Sequence, residues 1–573
     1  MFIMNMELYQ LVNQILSITQ IKKLALTLSI LGSVISCTNH DAVQLKVFTN
    51  INGYSFNNLR ELNKFSSMVV EGGKIVAIGN DTILDKFTKS DLIDLEGQTM
   101  LPGITDAHGH VSSLGYTLMQ IDLRDSESAY QAAKKIAIYT NQRPFLRWIQ
   151  GRGWNQVLWP DKKFPNSKIL DELVPNKPIW LERIDGHAGW ANTKALELAG
   201  ITTNTLSPPG GEILRDSSGK PTGVLIDNAM ELVTKVIPPY DEKELMQAIE
   251  IASKHLIGLG ITSVHDAGVS AREHRIYRAL AGKKELLVRL YGMISSTDPE
   301  LPTILSEGPV TDENDLYSAR SVKVYTDGAL GSRGAALLQP YSDRPDHTGL
   351  LLTSKQTLRD ILEDAVLSGF QVAIHAIGDK GNQLALDEIE WSYSSVGGKE
   401  LRHRVEHAQV VDLEDIPRFK LLNVIPSMQP THATSDMNMA EDRIGAERLK
   451  GAYAWRTFID QGSRLASGSD FPIELANPFY GIHAAVTRQN RQNLPIKGWI
   501  SEQSISITEA IRSFTIDAAW AAHQETTLGS LEVGKWADFI IIDRDIFNEP
   551  QESIWKTKVL QTWIAGAVVY QKS

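Results

Sequence analysis

The chain has 573 residues, 42% of them hydrophobic and 22% charged. That suits a large catalytic barrel with smaller pieces attached rather than one small core. A net charge of −11 without any Lys/Arg-rich run argues against nucleic acid as a partner, and a single cysteine, Cys37, excludes an intrachain disulfide and a cysteine-based zinc site.

The N-terminal stretch, residues 1–37, reads as an export signal. Lys22-Lys23 precede an apolar run over residues 24–36 that is too short to span a bilayer. Val34-Ile35-Ser36-Cys37 resembles the bacterial lipoprotein box, in which the cysteine is lipidated and becomes the new N-terminus. The expectation is an exported lipoprotein on the periplasmic face of a cell membrane, foremost the outer one, touching lipid only through Cys37. The alternative is a soluble signal peptide whose cysteine is incidental.

Residues 38–100 read as an all-β module: an alternating strand over 43–49, a hairpin turning at Gly72-Gly73, and a short strand at Leu92-Ile93-Asp94-Leu95. Residues 526–573 supply turn and strand again, with a turn at Ala565-Gly566. Neither half is large enough to bury its own core, so the two termini are expected to pair into one β-sandwich.

Between them, over residues 101–525, strands and helices alternate, the pattern of a parallel α/β sheet or barrel, with an inserted segment at about 145–240. Catalytic groups in a barrel sit at the C-terminal ends of the strands. Leu101-Pro102-Gly103-Ile104-Thr105-Asp106-Ala107-His108-Gly109-His110 is a short strand ending in two histidines, and residues i and i+2 of a strand face one side. His375 follows Val372-Ala373-Ile374, His407 follows Arg404-Val405-Glu406, Asp470 follows 465–469, and Lys323 lies inside Ser321-Val322-Lys323-Val324-Tyr325. A lone histidine after a strand is usually structural. Several at successive strand ends, with a carboxylate, are the donor types of a His/carboxylate metal site with room for water. Zinc is the default ion, with other divalent metals open and the count one or two per chain. Trp154 and Trp159 are candidates for apolar pocket wall.

These motifs resemble the amidohydrolase superfamily of metal-dependent hydrolases over residues 43–570. They are 101–110, Ile374-His375-Ala376-Ile377-Gly378-Asp379, Val405-Glu406-His407-Ala408-Gln409, Gly468-Ser469-Asp470-Phe471-Pro472 and 529–538. Gly151-Arg152-Gly153-Trp154, the segment 185–192, and 322–332 are similar to the branch that includes N-substituted formamide deformylases. The resemblance implies a distorted (β/α)8 barrel flanked by the composite β-sandwich. It implies that His108 and His110 bind one metal, and that His375 and His407 bind a second or complete a single site. Lys323 stands where two-metal members carry a carboxylated lysine; the alternative is an ordinary lysine beside a one-metal site, or one pairing with Asp327. Asp470 would ligate metal and act as general base, then acid. His187 and Trp190 would belong to the substrate pocket, with His187 polarising the carbonyl, the alternative being a buried structural pair. His265 and Asp266 read as residues that orient a ligand and His403 as structural, while Arg333 and His432 sit in loops within reach of the site and are assigned no role.

The resulting expectation is hydrolysis of a C–N bond in a small-molecule amide, formamide or cyclic amide. An esterase or deaminase on the same scaffold, or an inactive ligand-binding lipoprotein, are the alternatives. Self-association is left open.

Overall fold

Eight strands of the central segment lie side by side and parallel in a computed structural model that describes residues 45–87, 91–184, 186–209 and 211–572. The segment expected to be an export signal, with Cys37, lies outside the described residues. We number the barrel strands β1 (Ile104–Gly109), β2 (Ile261–Val269), β3 (Arg289–Ser295), β4 (Tyr317–Tyr325), β5 (Gln371–Ala376), β6 (Arg404–His407), β7 (Ile425–Met428) and β8 (Ala466–Ser467). Each pairs with the next in register order. Buried on both faces, they read as near-continuous apolar runs because helices cover the outside. One such helix, Glu242–Gly258, opens with a capping box from Asp241 and Glu244 and buries Leu245, Ile249 and Leu256.

Closure between β8 and β1 is the irregular step. β8 has only two residues, and the ring is completed beyond it, where Asp470 N donates to His108 O (2.7 Å) and His110 N to Phe471 O (2.9 Å). Asp106 fastens this seam: its carboxylate accepts from Ser469 N and Oγ and from His108 N. Gly468 makes the approach sterically feasible, since a Cβ there would stand 2.4 Å from His108 N. The barrel is therefore distorted where the first histidine pair meets Asp470.

The termini form the sandwich jointly. One four-stranded sheet comes from the N-terminal half alone. In the six-stranded sheet, Thr99–Pro102 from that half pairs antiparallel with Phe539–Ile542 from the C-terminal half. Phe48, Phe539 and Trp563 pack at 5.2–5.3 Å between ring centroids in the shared core. Gly72 and Gly73 both take positive φ, as the two-residue hairpin turn requires. A buried ion pair, Arg289 Nε to Asp538 Oδ2 at 2.5 Å, ties β3 to the C-terminal half.

Between β1 and β2 the chain builds a separate six-stranded mixed sheet, from Ile121–Asp122 to Pro221–Asp227. The insert's first strand, Ile121–Asp122, lies upstream of residue 145 and has only two residues, so it leaves no periodic trace in the sequence. Ile179–Arg183, whose apolar start looks like a barrel strand, pairs with Ile149–Trp154 inside this insert. Among the described residues no helix is long and apolar enough to cross a membrane.

Candidate active site and metal centre

The C-terminal ends of the barrel strands converge on a cavity of about 350 Å³. His108 ends its inward run on β1 and His110 is the first residue beyond the strand. Lys323 projects from β4, His375 from β5 and His407 from the last position of β6. Asp470 comes from the turn that completes the ring. His407 and Asp470 both have positive φ (73° and 63°), so strand and turn bend sharply at these two cavity-lining residues. All six line the cavity.

The histidines are oriented from behind. His108 Nδ1 lies 2.5 Å from Glu406 Oε2, His110 Nδ1 2.8 Å from Ala267 O, and His407 Nδ1 2.7 Å from Gln429 Oε1. A carbonyl or carboxylate oxygen only accepts, so His108 and His110 donate from Nδ1; each neutral ring then carries its lone pair on Nε2, whereas protonated His110 also donates from Nε2 to Asp470. His110 Nε2 is 3.0 Å and His108 Nε2 3.6 Å from Asp470 Oδ1, while His432 Nε2 is 3.5 Å from Asp470 Oδ2. Asp470 thus stands between two groups, His108–His110–Asp470 and His407–His432–Asp470, whose ligand atoms lie within 4.8 Å of one another in each. His375 stands beside them, its ring centroid 4.5 Å from that of His407. Its Nε2 and that of His432 are buried without a hydrogen-bond partner among the described residues. His375 Nε2 lies 3.7 Å from Asp327 Oδ1, while the imidazole nitrogens of His108, His110, His407 and His432 around Asp470 fit a borderline divalent cation such as zinc.

Electrostatics favours the ligand-competent neutral form of His108, His375 and His407; at His110 burial works the same way, but the hydrogen bond and charge of Asp470 outweigh it and raise the imidazole above its ordinary value. Burial, reinforced by Lys323, lowers His108 to about 4. Burial also holds His375 and His407 well below the ordinary imidazole value. Burial works against ionised Asp470, but the hydrogen bond from His110 and the fields of His108 and His432 hold its carboxyl below the usual carboxylate range. Lys323 is fully buried, 3.4 Å from His108 Nε2 and with its Nζ 4.9 Å from the Tyr325 ring centroid; burial lowers it to about 8. It forms no ion pair with Asp327, whose oxygens instead accept from the backbone N–H groups of Ala336, Ile377 and Gly378.

Sequence reasoning left His432 without a role because it lies four residues past the end of β7, on helix Pro430–Asp436. The strand-end rule, extended by one helical turn, would have reached it. Glu406 was missed because it sits inside a strand, where a polar residue reads as an interruption. It bridges His108 and Arg404 (Nε–Oε1 2.7 Å), and Arg404 continues to His265 Nδ1 at 2.8 Å. His265 therefore acts on the ligands only at second remove. Asp266 holds the segment after His110 by accepting from Val111 N.

The four expected pocket residues, Trp154, Trp159, His187 and Trp190, are elsewhere. Trp154 and Trp190 are fully buried in the insert's own core together with Trp159, their indole N–H groups donating to Leu181 O and Asn166 O. Large apolar side chains served the insert's need for a core before they could serve a ligand. His187 is 76% exposed, in the turn before Ala188–Ala191 and 2.7 Å from Asp227, and does not line the cavity. His403 is structural, with Nδ1 accepting from Val372 N, and Arg333 pairs with Asp343.

Comparison with known proteins agrees with this geometry. The chain is 32% identical over 535 residues to a putative amidohydrolase, YtcJ, of Bacillus subtilis, covering 91% of this chain and 99% of that one. It is 28% identical to the N-substituted formamide deformylase of Arthrobacter pascens, covering 88% and 95%. The crystal structure of an uncharacterised metal-dependent hydrolase from Pyrococcus furiosus superposes with a TM-score of 0.72 at 29% identity, covering 88% of this chain and all of that one. Residues 91–570 match the Amidohydrolase family, and with the barrel, the sandwich and the histidine–aspartate centre in place, this chain belongs to it and is a hydrolase of the amidohydrolase superfamily.

Proposed function

We propose that the enzyme hydrolyses a C–N bond of a small amide, formamide or cyclic amide, with Asp470 moving the proton. The observation that carries this reading is the position of Asp470: one oxygen faces His108 and His110, the other faces His432, on the floor of an open cavity. His108, His110, His407, His432 and Asp470, with His375 adjacent, would hold one or two divalent cations. Such a cation supplies an acidified water and polarises the scissile carbonyl. Asp470 accepts the proton of the attacking water and returns it to the departing nitrogen, which must be protonated to leave. Tyr325, Leu330 and Ile377 keep bulk water from the reacting carbonyl. The named relative that removes formyl groups from nitrogen supports the choice of bond.

Lys323 enters the same reading as a carbamate: the neutral amine adds to CO2 and loses one proton, giving an anion between the two histidine groups. Support comes from its complete burial with no carboxylate in ion-pair distance among the described residues, an arrangement costly for an ammonium. Metal content per chain, measured on protein purified without chelator and again after CO2 removal, tests this. About two equivalents, falling on CO2 depletion, is the expected outcome for a bridged pair. One equivalent insensitive to CO2 removes the carbamate, and no metal even after added zinc removes the hydrolase reading.

We also propose that Cys37 anchors the protein to a membrane. Cys37→Ala should move the protein to the soluble fraction of fractionated cells; continued sedimentation with membranes would refute the anchor.

A further inference from the structure

Beyond the histidines, the cavity is lined by two chemistries. Tyr325, Leu330, Ile377 and Ile473 are apolar or aromatic, and Gln409, Asp436 and Glu474 are polar, arriving from the segments after β6, β7 and β8. Asp436 is held rigidly: its Oδ2 accepts from Gln409 Nε2 at 2.9 Å and from Tyr453 OH at 2.6 Å. The Gln409 amide also donates to Tyr453 OH at 2.9 Å, so the three side chains form a closed set. Asp436 Oδ1 carries no hydrogen bond among the described residues. Glu474 accepts from Ser435 Oγ through Oε1 at 2.5 Å, and its Oε2 is likewise uncommitted.

Away from the histidine–aspartate floor, where the proposed metal would sit, the described lining offers no basic side chain to an anionic substrate group. Among the described residues no arginine lines the cavity, and the one lysine that does, Lys323, is sealed at its floor against His108 and Tyr325. Arg443 reaches the wall at Gly331 O, but its guanidinium is bound to Asp343, which also takes Arg333. A substrate carboxylate lying beyond the metal-binding residues would meet Asp436 and Glu474 with no guanidinium to offset them.

We infer that the site selects amides that are neutral or that carry an ammonium or N–H group directed at Asp436 and Glu474, and that it excludes amides bearing a carboxylate. This rests on the amide-hydrolysis reading above. Like-charge juxtaposition in a partly dehydrated cavity discriminates strongly, whereas an ammonium gains two open acceptors.

The test uses the metal-loaded full chain and three matched N-butylformamides whose far carbon carries an ammonium, a hydroxyl or a carboxylate. Binding is read by calorimetry and turnover separately. The ammonium and hydroxyl compounds should bind about 100-fold more tightly than the carboxylate. Glu474→Gln, on a half-exposed segment that tolerates the change, should shrink that ratio about tenfold, and Asp436→Asn should shrink it further. The ratio should survive raised salt, because a local contact is screened less than the overall field of a −11 chain. Carboxylate binding equal to or tighter than the others overturns the inference, as does a ratio that neither substitution changes. Correct binding order without hydrolysis of any of the three would remove the proposed reaction and leave the charge selection standing.

Discussion

Asp470→Asn should lower turnover by roughly 10²–10⁴-fold, the usual contribution of a positioned proton carrier, while the protein folds and still takes up metal. Asparagine is the informative replacement for a backbone reason. Asp470 has φ 63°, a left-handed conformation that asparagine tolerates and alanine resists. The turn closing β8 onto β1 should therefore persist, with Asp470 N still donating to His108 O. An amide oxygen can still face His110 Nε2, now at 3.0 Å from the carboxylate, so cation uptake weakens without vanishing. What the amide cannot do is accept a proton from water and return it to nitrogen. Steady-state kinetics alongside metal analysis of the same preparation decides the matter. Turnover within a few-fold of the unsubstituted enzyme would take Asp470 out of the chemistry. Unchanged ligand affinity with no turnover in either protein would favour a binding role for the chain.

The histidines and the aspartate that could be read from sequence share one property: each sits where an apolar run stops. His108, His375 and His407 interrupt or end buried strands, and a barrel delivers such residues to one end. The composite sandwich was legible for a similar reason, since neither terminal segment has apolar area enough to stand alone. Residues that escaped are those whose role depends on a partner far away in sequence. Glu406 acquires meaning only from His108, 298 positions earlier, and His432 only from a helix that turns it back over Asp470. Trp154 and Trp190 misled for the converse reason. An indole reads the same whether it lines a pocket or fills a core, and only the insert's three-dimensional closure, with Trp154 and Trp190 ring centroids 6.2 Å apart, decides between them.

Glu406→Gln should produce the second large effect, and in two separable quantities. Glu406 and Arg404 are both fully buried on β6 and paired at 2.7 Å. Burial disfavours ionised Glu406, but Arg404 and His108 outweigh it and hold the carboxyl well below the ordinary range. Removing the negative partner strands the guanidinium, which keeps only His265 Nδ1, Ala107 O and Ser427 Oγ. Breaking a buried pair from one side costs about 3–5 kcal/mol, so the variant should denature at clearly lower temperature or denaturant. The second effect concerns His108 alone. Its Nδ1–H now donates to a charged acceptor, whereas His110 and His407 use the neutral Ala267 and Gln429 oxygens. A carboxylate behind an imidazole fixes its tautomer and strengthens its Nε2 as a donor, and loss of such a partner weakens metal binding by about 10–100-fold. Competition titration with a chromophoric chelator, at a temperature where the variant is fully folded, isolates this term from the stability loss. If the folded variant binds metal as tightly as the unsubstituted chain, Glu406 serves only to neutralise Arg404. If affinity falls while imidazole nitrogen NMR of the metal-free protein shows a shift toward the Nε2-protonated tautomer, the carboxylate is what turns His108 toward the centre it shares with Asp470.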